Sequence, residues 1–178
     1  MIETERLLLR VPHKGDLDAI TAINADPRVS EWLGSRPTAA DSPDWLRRVE
    51  EHHAEYGYGF WSAVRKADHA VVGFAGLLAT AETMPVGPAV EVAWRFHPLA
   101  WGAGYATEAA RASIDWGWAN VDVDELIAIT ARRNLRSQAV MRRLGMTYDA
   151  SRDFDHPRLL APDDPLRAHV TYALQRGA

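Results

Sequence analysis

Cysteine is absent from the 178 residues of this chain. Its absence excludes disulfide bonds, metal sites built on thiolates and a cysteine nucleophile. It also suits a reducing compartment, so we expect a cytoplasmic protein. His52 and His53 are adjacent and project about 100° apart on a helix, so they do not share a metal ion. We expect one of them to be half-buried and the other exposed, and we expect no metal cofactor.

Long apolar runs are also lacking. The longest, residues 70–81, contains two glycines and falls far short of the roughly 20 residues that cross a bilayer. The N-terminus, Met1 to Arg6, carries acidic residues where a signal peptide carries basic ones. These features predict a protein without membrane contact.

An excess of basic charge is missing too. Lys and Arg number 20 against 24 Asp and Glu, which gives a net charge of −4 and argues against direct nucleic-acid binding. What is present is ordinary for a globular protein, because 47% of the residues are hydrophobic and 25% are charged. The length fits one domain, which we take to span residues 1–178.

Hydrophobic patterning indicates the element order. Alternating or β-branched segments predict strands at residues 5–11, 60–65, 70–78, 90–96, 125–131 and 169–174. Helical spacing and capping residues predict helices after Asp16, from Ser42 to Gly57, after Gly104 to about Ala119, and from Arg136 to Leu144. Residues 149–165, rich in Pro and Asp, are predicted to be a long loop. This order indicates an α/β or α+β domain with a mainly antiparallel sheet and at least one crossover helix.

A glycine-bearing turn between Phe96 and Ala109 is the sharpest local signal. A strand ends, a loop containing Gly102 and Gly104 follows, and a helix begins. The first N–H groups of a helix have no partner within it and attract anions, and glycine permits close approach. The small residues Ala106, Ala110, Ser113 and Gly117 share one stripe of the helix, which lets its backbone approach a sheet.

Three anionic ligands are conceivable at this turn. A Rossmann dinucleotide site needs a third glycine where Thr107 stands and an early strand, and a P-loop needs a terminal Gly-Lys-Ser/Thr; both patterns are absent. The pyrophosphate of coenzyme A remains. The alternative is a turn that only lets helix and sheet pack.

The sequence from Glu91 resembles a known cofactor-binding core. Glu91-Val-Ala-Trp-Arg-Phe-His-Pro-Leu-Ala-Trp101-Gly-Ala-Gly104-Tyr-Ala106-Thr-Glu-Ala is similar to the acetyl-CoA site of the GNAT (GCN5-related N-acetyltransferase) superfamily. It is closest to the RimJ and RimL branch, the ribosomal-protein N-terminal acetyltransferases. Thr4-Glu5-Arg6-Leu7-Leu8-Leu9-Arg10 resembles the first strand of that branch. Asn134-Leu-Arg-Ser137-Gln-Ala-Val-Met141-Arg-Arg-Leu-Gly145-Met146 resembles its late Asn-x-x-Ser helix.

The resemblance implies a GNAT-like fold and its cofactor. The fold is a mixed, mostly antiparallel sheet, splayed near the fourth strand and flanked by about four helices. Acetyl-CoA is implied as co-substrate, its pantetheine arm bonded to strand backbone at Trp94, Arg95 and Phe96. Loop amides would hold the pyrophosphate, and they belong to Trp101, Gly102, Ala103, Gly104, Tyr105, Ala106 and Thr107. Asn134 would bond the pantetheine or fix its loop; a turn asparagine is the alternative.

The implied reaction moves an acetyl group from a thioester to an amine. Glu91 is the candidate base, directly or through water, and pairing with Arg95 on the same strand face is the alternative. The oxyanion is best served by a backbone N–H near Phe96. Many family members use a tyrosine acid where this chain has Met141, so Ser137 becomes the replacement candidate. An ordinary residue of the first helical turn is the alternative for Ser137.

The acceptor is less well indicated. Trp32, Phe60 and Trp61 lie in segments that flank the acceptor site in the family, and His156 lies in the long loop that borders it. Core packing or surface exposure is the alternative for each. The basic residues of 132–136, Arg142 and Arg143 could meet the 3′-phosphate of coenzyme A or form a solvated face.

Two functions of different class remain open. The first is an N-acetyltransferase acting on a protein N-terminus or a small-molecule amine, and a homodimer is compatible by analogy only. The second is a degenerate acyl-CoA-binding sensor or interaction module, which the residue Met141 favours.

Overall fold

The computed structural model describes residues 1–33, 41–157, 159, 161 and 163–177. In this part of the chain one sheet takes in nine strands, in the order β1-β2-β3-β4-β5-β6-β9-β7, with β8 beside β9. The strands are β1 (Ile2–Glu3), β2 (Leu7–Arg10), β3 (Phe60–Arg65), β4 (Val71–Ala79), β5 (Val90–Phe96), β6 (Glu125–Ala131), β7 (Thr147–Tyr148), β8 (Phe154–Asp155) and β9 (Ala168–Gln175). Five α-helices accompany them: α1 (Leu17–Ala25), α2 (Pro27–Ser30), α3 (Ser42–Tyr56), α4 (Tyr105–Asn120) and α5 (Leu135–Arg143).

Alternation along the strands separates two faces of the sheet. Leu7, Leu9 and Ala63 point to the face that α4 and α5 cover, and all three are fully buried there. The next row across the sheet, Ser62, Phe74 and Arg95, points to the opposite face. The helices α1 and α3 lie on that second face, where the Trp45 ring of α3 packs on the Phe74 ring with 5.0 Å between the ring centres.

The sheet opens between β5 and β6. These two strands are parallel and pair only at Val90 with Leu126 and at Glu91 with Ile127. All the other neighbouring strands pair antiparallel. The mixed, mostly antiparallel sheet that splays beside the fourth long strand is therefore confirmed.

The predicted long elements are present within a residue or two of their expected bounds, and the short ones were missed. β1, β7 and β8 are two-residue strands, and β8 lies inside the stretch predicted as a loop. Asp26 follows the last residue of α1 and also caps α2, by accepting a hydrogen bond from the Arg28 N–H at 2.9 Å. The last predicted helix ends as expected, with Gly145 at a φ of +82°.

Three polar side chains have roles that differ from those predicted. Asp16 does not cap α1; its carboxylate pairs with Arg10 at 2.6 Å and accepts from the Ser62 hydroxyl at 2.8 Å. Both His52 and His53 are half-buried, so the prediction that one is exposed was wrong. Each bonds a backbone carbonyl, His52 that of Tyr58 and His53 that of Phe60.

None of the helices in the described ranges is long and apolar enough to cross a bilayer.

The small stripe of α4 sets its distance from the sheet. Ala110 and Ser113 are fully buried, and a Cβ added to Gly117 would lie 2.8 Å from the Leu77 Cδ1 atom. Bulk at these positions would therefore push the helix outward, together with the loop that precedes it.

Replacing Ala110 with leucine should overpack this contact. We expect Ala110→Leu to lower the free energy of unfolding by about 1–3 kcal/mol, measured by urea denaturation. Ala119→Leu is the matched control, because Ala119 is exposed on the same helix. Equal stability of the two variants would contradict the close packing.

Candidate active site

A cavity of about 660 Å³ lies where β5 and β6 diverge. On one side it reaches the first turns of α4 and α5, and on the other it reaches α2 and residues 32–33. The residues that line both halves include Trp32, Glu91, Arg95, Gly104 and Ser137. One cavity thus joins the glycine loop to the opposite face of the sheet.

The backbone of β5 offers unpaired groups to this cavity. The His97 N–H donates to the Val72 carbonyl at 2.9 Å, so His97 bonds toward β4. Because hydrogen-bonded positions alternate in an antiparallel ladder, Arg95 also bonds toward β4, whereas Trp94 and Phe96 face β6. β6 has already diverged there, which leaves the peptide groups of Trp94 and the Phe96 N–H without a strand partner. Arg95, expected to bond the cofactor through its backbone, is committed to β4 instead.

The glycine loop presents further unpaired donors. Gly102 and Gly104 have φ values of +76° and +83°, a left-handed conformation that favours glycine. The first hydrogen bond of α4 runs from the Glu108 N–H to the Gly104 carbonyl. Within the described residues the N–H groups of 102–107 have no acceptor. A run of unpaired donors at a helix N-terminus has the charge and geometry that attract an anion such as a diphosphate.

A residue outside the predicted site holds this loop in place. The Arg6 guanidinium donates to the Ala103 carbonyl at 2.8 Å and to the Glu108 carboxylate at 2.7 Å, and it lies over the Tyr105 ring. The Thr4 hydroxyl also donates to Glu108, at 2.6 Å. Ala103 does not line the cavity, because its carbonyl is turned to Arg6. The Thr-Glu-Arg opening of the sequence was the available signal for this contact.

Trp101 ties the loop to the end of β5. Its indole Nε1 donates to the Phe96 carbonyl at 2.8 Å, and Arg136 of α5 lies over its ring at 4.8 Å. Arg136 is exposed, and both Arg136 and Arg143 line the cavity. Arg132 pairs instead with Asp153, and Arg142 bonds the Tyr172 hydroxyl. Of the basic residues predicted to meet the cofactor, Arg136 and Arg143 therefore line the cavity, whereas Arg132 and Arg142 bond other side chains of the protein.

Glu91 stands where β5 and β6 part. It is partly exposed, and it lines the cavity. Among the described residues its carboxyl group has no hydrogen-bond or ion-pair partner, and burial raises its pKa to about 8. The alternative of an ion pair with Arg95 is wrong, because Arg95 bonds the Asn24 side chain instead, at 2.6 Å. An unpaired carboxyl with a pKa near neutrality has the properties of a general base.

The first turn of α5 carries the candidate acid. Asn134 caps the helix, because its Oδ1 accepts from the Ser137 N–H at 3.1 Å. Asn134 therefore has a structural role at the start of the helix. Ser137 lines the cavity, and its hydroxyl has no partner in the described part of the chain. Met141, one turn later, lines the same wall. Thr130 of β6 also lines it and has no hydroxyl partner among the described residues; no motif had indicated Thr130.

The predicted acceptor residues are only partly brought together. Trp32 and Phe60 line the cavity beside Phe74, whose ring is 5.0 Å from that of Phe60. Trp61 does not, because neighbouring strand residues point to opposite faces; it packs on Trp116 in the core. His156 does not line the cavity either, since β8 pairs with β9 and places its ring 4.8 Å from that of His169.

The raised pKa of Glu91 predicts a pH-dependent stability. Between its ordinary pKa of 4.5 and the folded value of about 8, the folded chain holds a proton that the unfolded chain releases. The free energy of unfolding should therefore fall as pH rises across this range. We expect Glu91→Gln to match the wild type near pH 5 and to exceed it by about 2–4 kcal/mol above pH 8, measured by denaturation without ligand. Glu50→Gln, at an exposed site on α3, is the control. A difference that does not change with pH would contradict the raised pKa.

Comparisons with known proteins place this geometry in a family. A sequence profile described as "Acetyltransferase (GNAT) domain" matches residues 6–147. The uncharacterized protein YkkB of Bacillus subtilis (strain 168) is 25% identical over 146 residues, which cover 82% of this chain and 84% of that protein.

Solved structures share the fold at low identity. A GNAT-family acetyltransferase from Bacillus anthracis has a TM-score of 0.81 at 21% identity, covering 99% of both chains. RimL, titled a ribosomal L7/L12 alpha-N-protein acetyltransferase in complex with coenzyme A, has a TM-score of 0.76 at 14% identity, covering 97% of this chain and 95% of that one. The spermidine N-acetyltransferase of Vibrio cholerae, in complex with CoA and spermine, has a TM-score of 0.72 at 12% identity, covering 97% and 96%. Since the profile matches most of its length, this chain belongs to the GNAT acetyltransferase family.

Proposed function

We propose that this protein transfers the acetyl group of acetyl-CoA directly to a primary amine. The observation that carries the proposal is the continuity of unpaired backbone groups along one cavity. They begin at Trp94 and Phe96 in the sheet gap and continue through the N–H groups of residues 102–107. A pantetheine arm needs the first set as β-like partners, and a diphosphate needs the second. The solved relatives RimL and spermidine N-acetyltransferase, both in complex with CoA, support this choice of ligand.

The proposed chemistry uses two side chains of the cavity. Glu91, as the carboxylate, removes a proton from the amine, directly or through water. The amine nitrogen then forms a bond to the thioester carbonyl carbon, and the resulting oxyanion is stabilised by a backbone N–H in the gap, with that of Phe96 available. The carbon–sulfur bond breaks, the Ser137 hydroxyl donates a hydrogen bond to the leaving thiolate, and the thiolate takes its proton from solvent. Glu91 releases to solvent the proton that it removed from the amine. Cysteine is absent, and transfer without a covalent enzyme intermediate fits that composition.

Members of the family differ in the amine that they acetylate. We propose that this chain belongs to the RimJ/RimL-like branch. RimL is named for a protein N-terminus and the Vibrio enzyme for a polyamine. The acceptor half of the cavity is lined by apolar residues of α2, of the turn after it and of the sheet, among them Val29, Trp32, Phe60 and Phe74. We propose that it takes a peptide N-terminus or a small amine.

Met141 favours one alternative function. It occupies the position at which many family members have a tyrosine acid, so a protein that binds acyl-CoA without catalysis is the second candidate. Release of free thiol from acetyl-CoA decides between the two. An amine-dependent release supports the enzyme. A rise in melting temperature with acetyl-CoA, with no thiol release across a broad amine panel, supports the sensor.

Variants of the two proposed groups should slow transfer in different ways. We expect Glu91→Gln to lower kcat/KM by about 10²–10⁴-fold and Ser137→Ala to lower kcat, with CoA affinity unchanged in both. The wild-type rate should rise as pH increases to about 8, following the Glu91 carboxylate. Deprotonation of the acceptor amine would also make the rate rise with pH. An acceptor amine with a pKa well below 7 is neutral throughout this range, so with it the rise reports Glu91. Full activity of Glu91→Gln at every pH would remove Glu91 as the base.

Loss of the contact between Arg6 and the glycine loop should weaken cofactor binding. Arg6→Met removes the hydrogen bond to the Ala103 carbonyl and the ion pair with Glu108. We expect the Kd for coenzyme A, measured by calorimetry, to rise about threefold to tenfold. Arg47→Met is the matched control, because Arg47 is exposed on α3 and its ion pairs within the described residues are with Asp44 and Glu51 of the same helix. An unchanged Kd in Arg6→Met would show that the loop holds its shape without Arg6.

A further inference from the structure

Arg95 is a partly buried cation that has no anionic partner among the described residues. It lines the acceptor half of the cavity from the middle of the sheet, and burial lowers the pKa of its guanidinium to about 10. A charge held in such surroundings is costly unless an opposite charge or a full set of hydrogen bonds compensates it. Within the described residues, the contacts of Arg95 compensate its charge only in part.

The contacts of Arg95 hold its side chain but leave most of its donors free. Its Nη1 donates to the Asn24 Oδ1 at 2.6 Å, and the guanidinium carbon lies 5.2 Å from the centre of the Phe74 ring. A guanidinium carries several N–H donors in a planar fork. Only the bond to Asn24 uses one of them within the described residues. The Phe74 ring therefore covers one face of the guanidinium, and the remaining N–H donors at its edge are available to a ligand.

Two acidic side chains on this side of the sheet, Asp16 and Glu91, form no ion pair with Arg95. Asp16 accepts from Arg10, the Ser62 hydroxyl and the His13 N–H, so its carboxylate is already occupied. Glu91 lies four residues away on the same strand face, about 13 Å between Cα atoms, and forms no ion pair with Arg95. In the ground state Glu91 is mostly protonated at neutral pH. Among the described residues, the Arg95 guanidinium therefore presents its charge to this half of the cavity without an acidic partner.

We propose that Arg95 binds a carboxylate or phosphate on the acceptor, so that the preferred acceptor is an amine that also carries an anionic group. The inference rests on the proposed acetyl transfer. A planar guanidinium fork matches the two oxygens of such a group. With Glu91 near the reacting amine and Arg95 at the other end of the same face, the strand would recognise both ends of one small molecule.

The position of Arg95 separates this role from cofactor binding. Its side chain points to the sheet face that bears Phe74 and Phe60, whereas α4 and α5 lie on the opposite face. The unpaired loop donors and the exposed Arg136 lie on the side of those helices. The cofactor phosphates therefore have their own partners, and Arg95 is left for the acceptor.

Matched pairs of acceptors test the inference. We would compare kcat/KM for ω-amino acids of increasing length, from glycine to 5-aminovalerate, with that for their amides, using acetyl-CoA. Phosphoethanolamine against ethanolamine distinguishes a phosphate from a carboxylate. Succinyl-CoA with the neutral amides tests whether the anion belongs instead to the acyl group. We expect at least one anionic acceptor to exceed its neutral partner by about tenfold or more.

Variants of Arg95 and its neighbour assign the effect. Arg95→Gln should bring the anion preference, which is the ratio of kcat/KM for an anionic acceptor to that for its neutral partner, close to one. Arg95→Lys should keep part of this preference. Asn24→Asp should supply a carboxylate from within the chain and compete with the acceptor for Arg95. Arg95→Gln and Asn24→Asp should also raise the melting temperature by about 2–4 °C, because the first removes the poorly compensated charge of Arg95 and the second pairs that charge with a carboxylate; a purely structural arginine would give a fall in Arg95→Gln. Arg47→Gln is the control.

A binding measurement keeps this inference separate from the proposed function. Calorimetry of 5-aminovalerate and phosphoethanolamine with the CoA-loaded protein should show binding in the wild type and at least tenfold weaker binding in Arg95→Gln. If these anions bind through Arg95 but no amine is acetylated, the enzymatic proposal fails and the anion site stands. The inference is overturned if neutral amides react or bind as well as their anionic partners, if the preference survives in Arg95→Gln, or if only succinyl-CoA depends on Arg95.

Discussion

The early divergence of β6 from β5 is the constraint on which the rest of the site depends. Strands that lie side by side normally satisfy each other's backbone groups. Here the pairing ends at Glu91 and Ile127, so the remainder of β5 presents hydrogen-bonding groups to a cavity instead of to a neighbour. Unsatisfied groups of this kind destabilise a fold unless water or a ligand completes them. The gap therefore presents backbone groups that water or a ligand can complete.

The surrounding structure holds this opening in a fixed shape. Leu7, Leu9 and Ile114 belong to a fully buried core on the α4 side, which anchors the strands that flank the gap. The indole of Trp101 satisfies the Phe96 carbonyl, so the loop begins at a defined distance from the strand. Rigid surroundings of this kind reduce the entropy that a flexible ligand site would lose on binding.

Much of the fold and the cofactor half of the site could be predicted from the sequence, because strong local patterns encode them. Alternation over residues 90–96 assigned the faces of Glu91 and Trp94, and the two glycines marked the start of α4. Two-residue strands such as β7 carry no period, so pairing with β9 had to be seen in the structure. Trp61 was predicted at the acceptor site together with Phe60, because their segment flanks that site in the family. The local composition does not distinguish adjacent positions, and in the structure Phe60 lines the cavity whereas Trp61 packs in the core. The bond between Arg95 and Asn24 joins residues 71 positions apart, and no local pattern reports such a contact.

The attachment of Arg6 to Glu108 spans 102 positions of the chain and makes the N-terminal segment a structural support of the glycine loop. Thr4 and Arg6 do not line the cavity, yet they fix the carbonyl and carboxylate that shape it. Trimming this segment, or fusing a purification tag close to it, would disturb the loop from a distance. For biochemical work on this protein, an affinity handle is better placed beyond β9 than before β1.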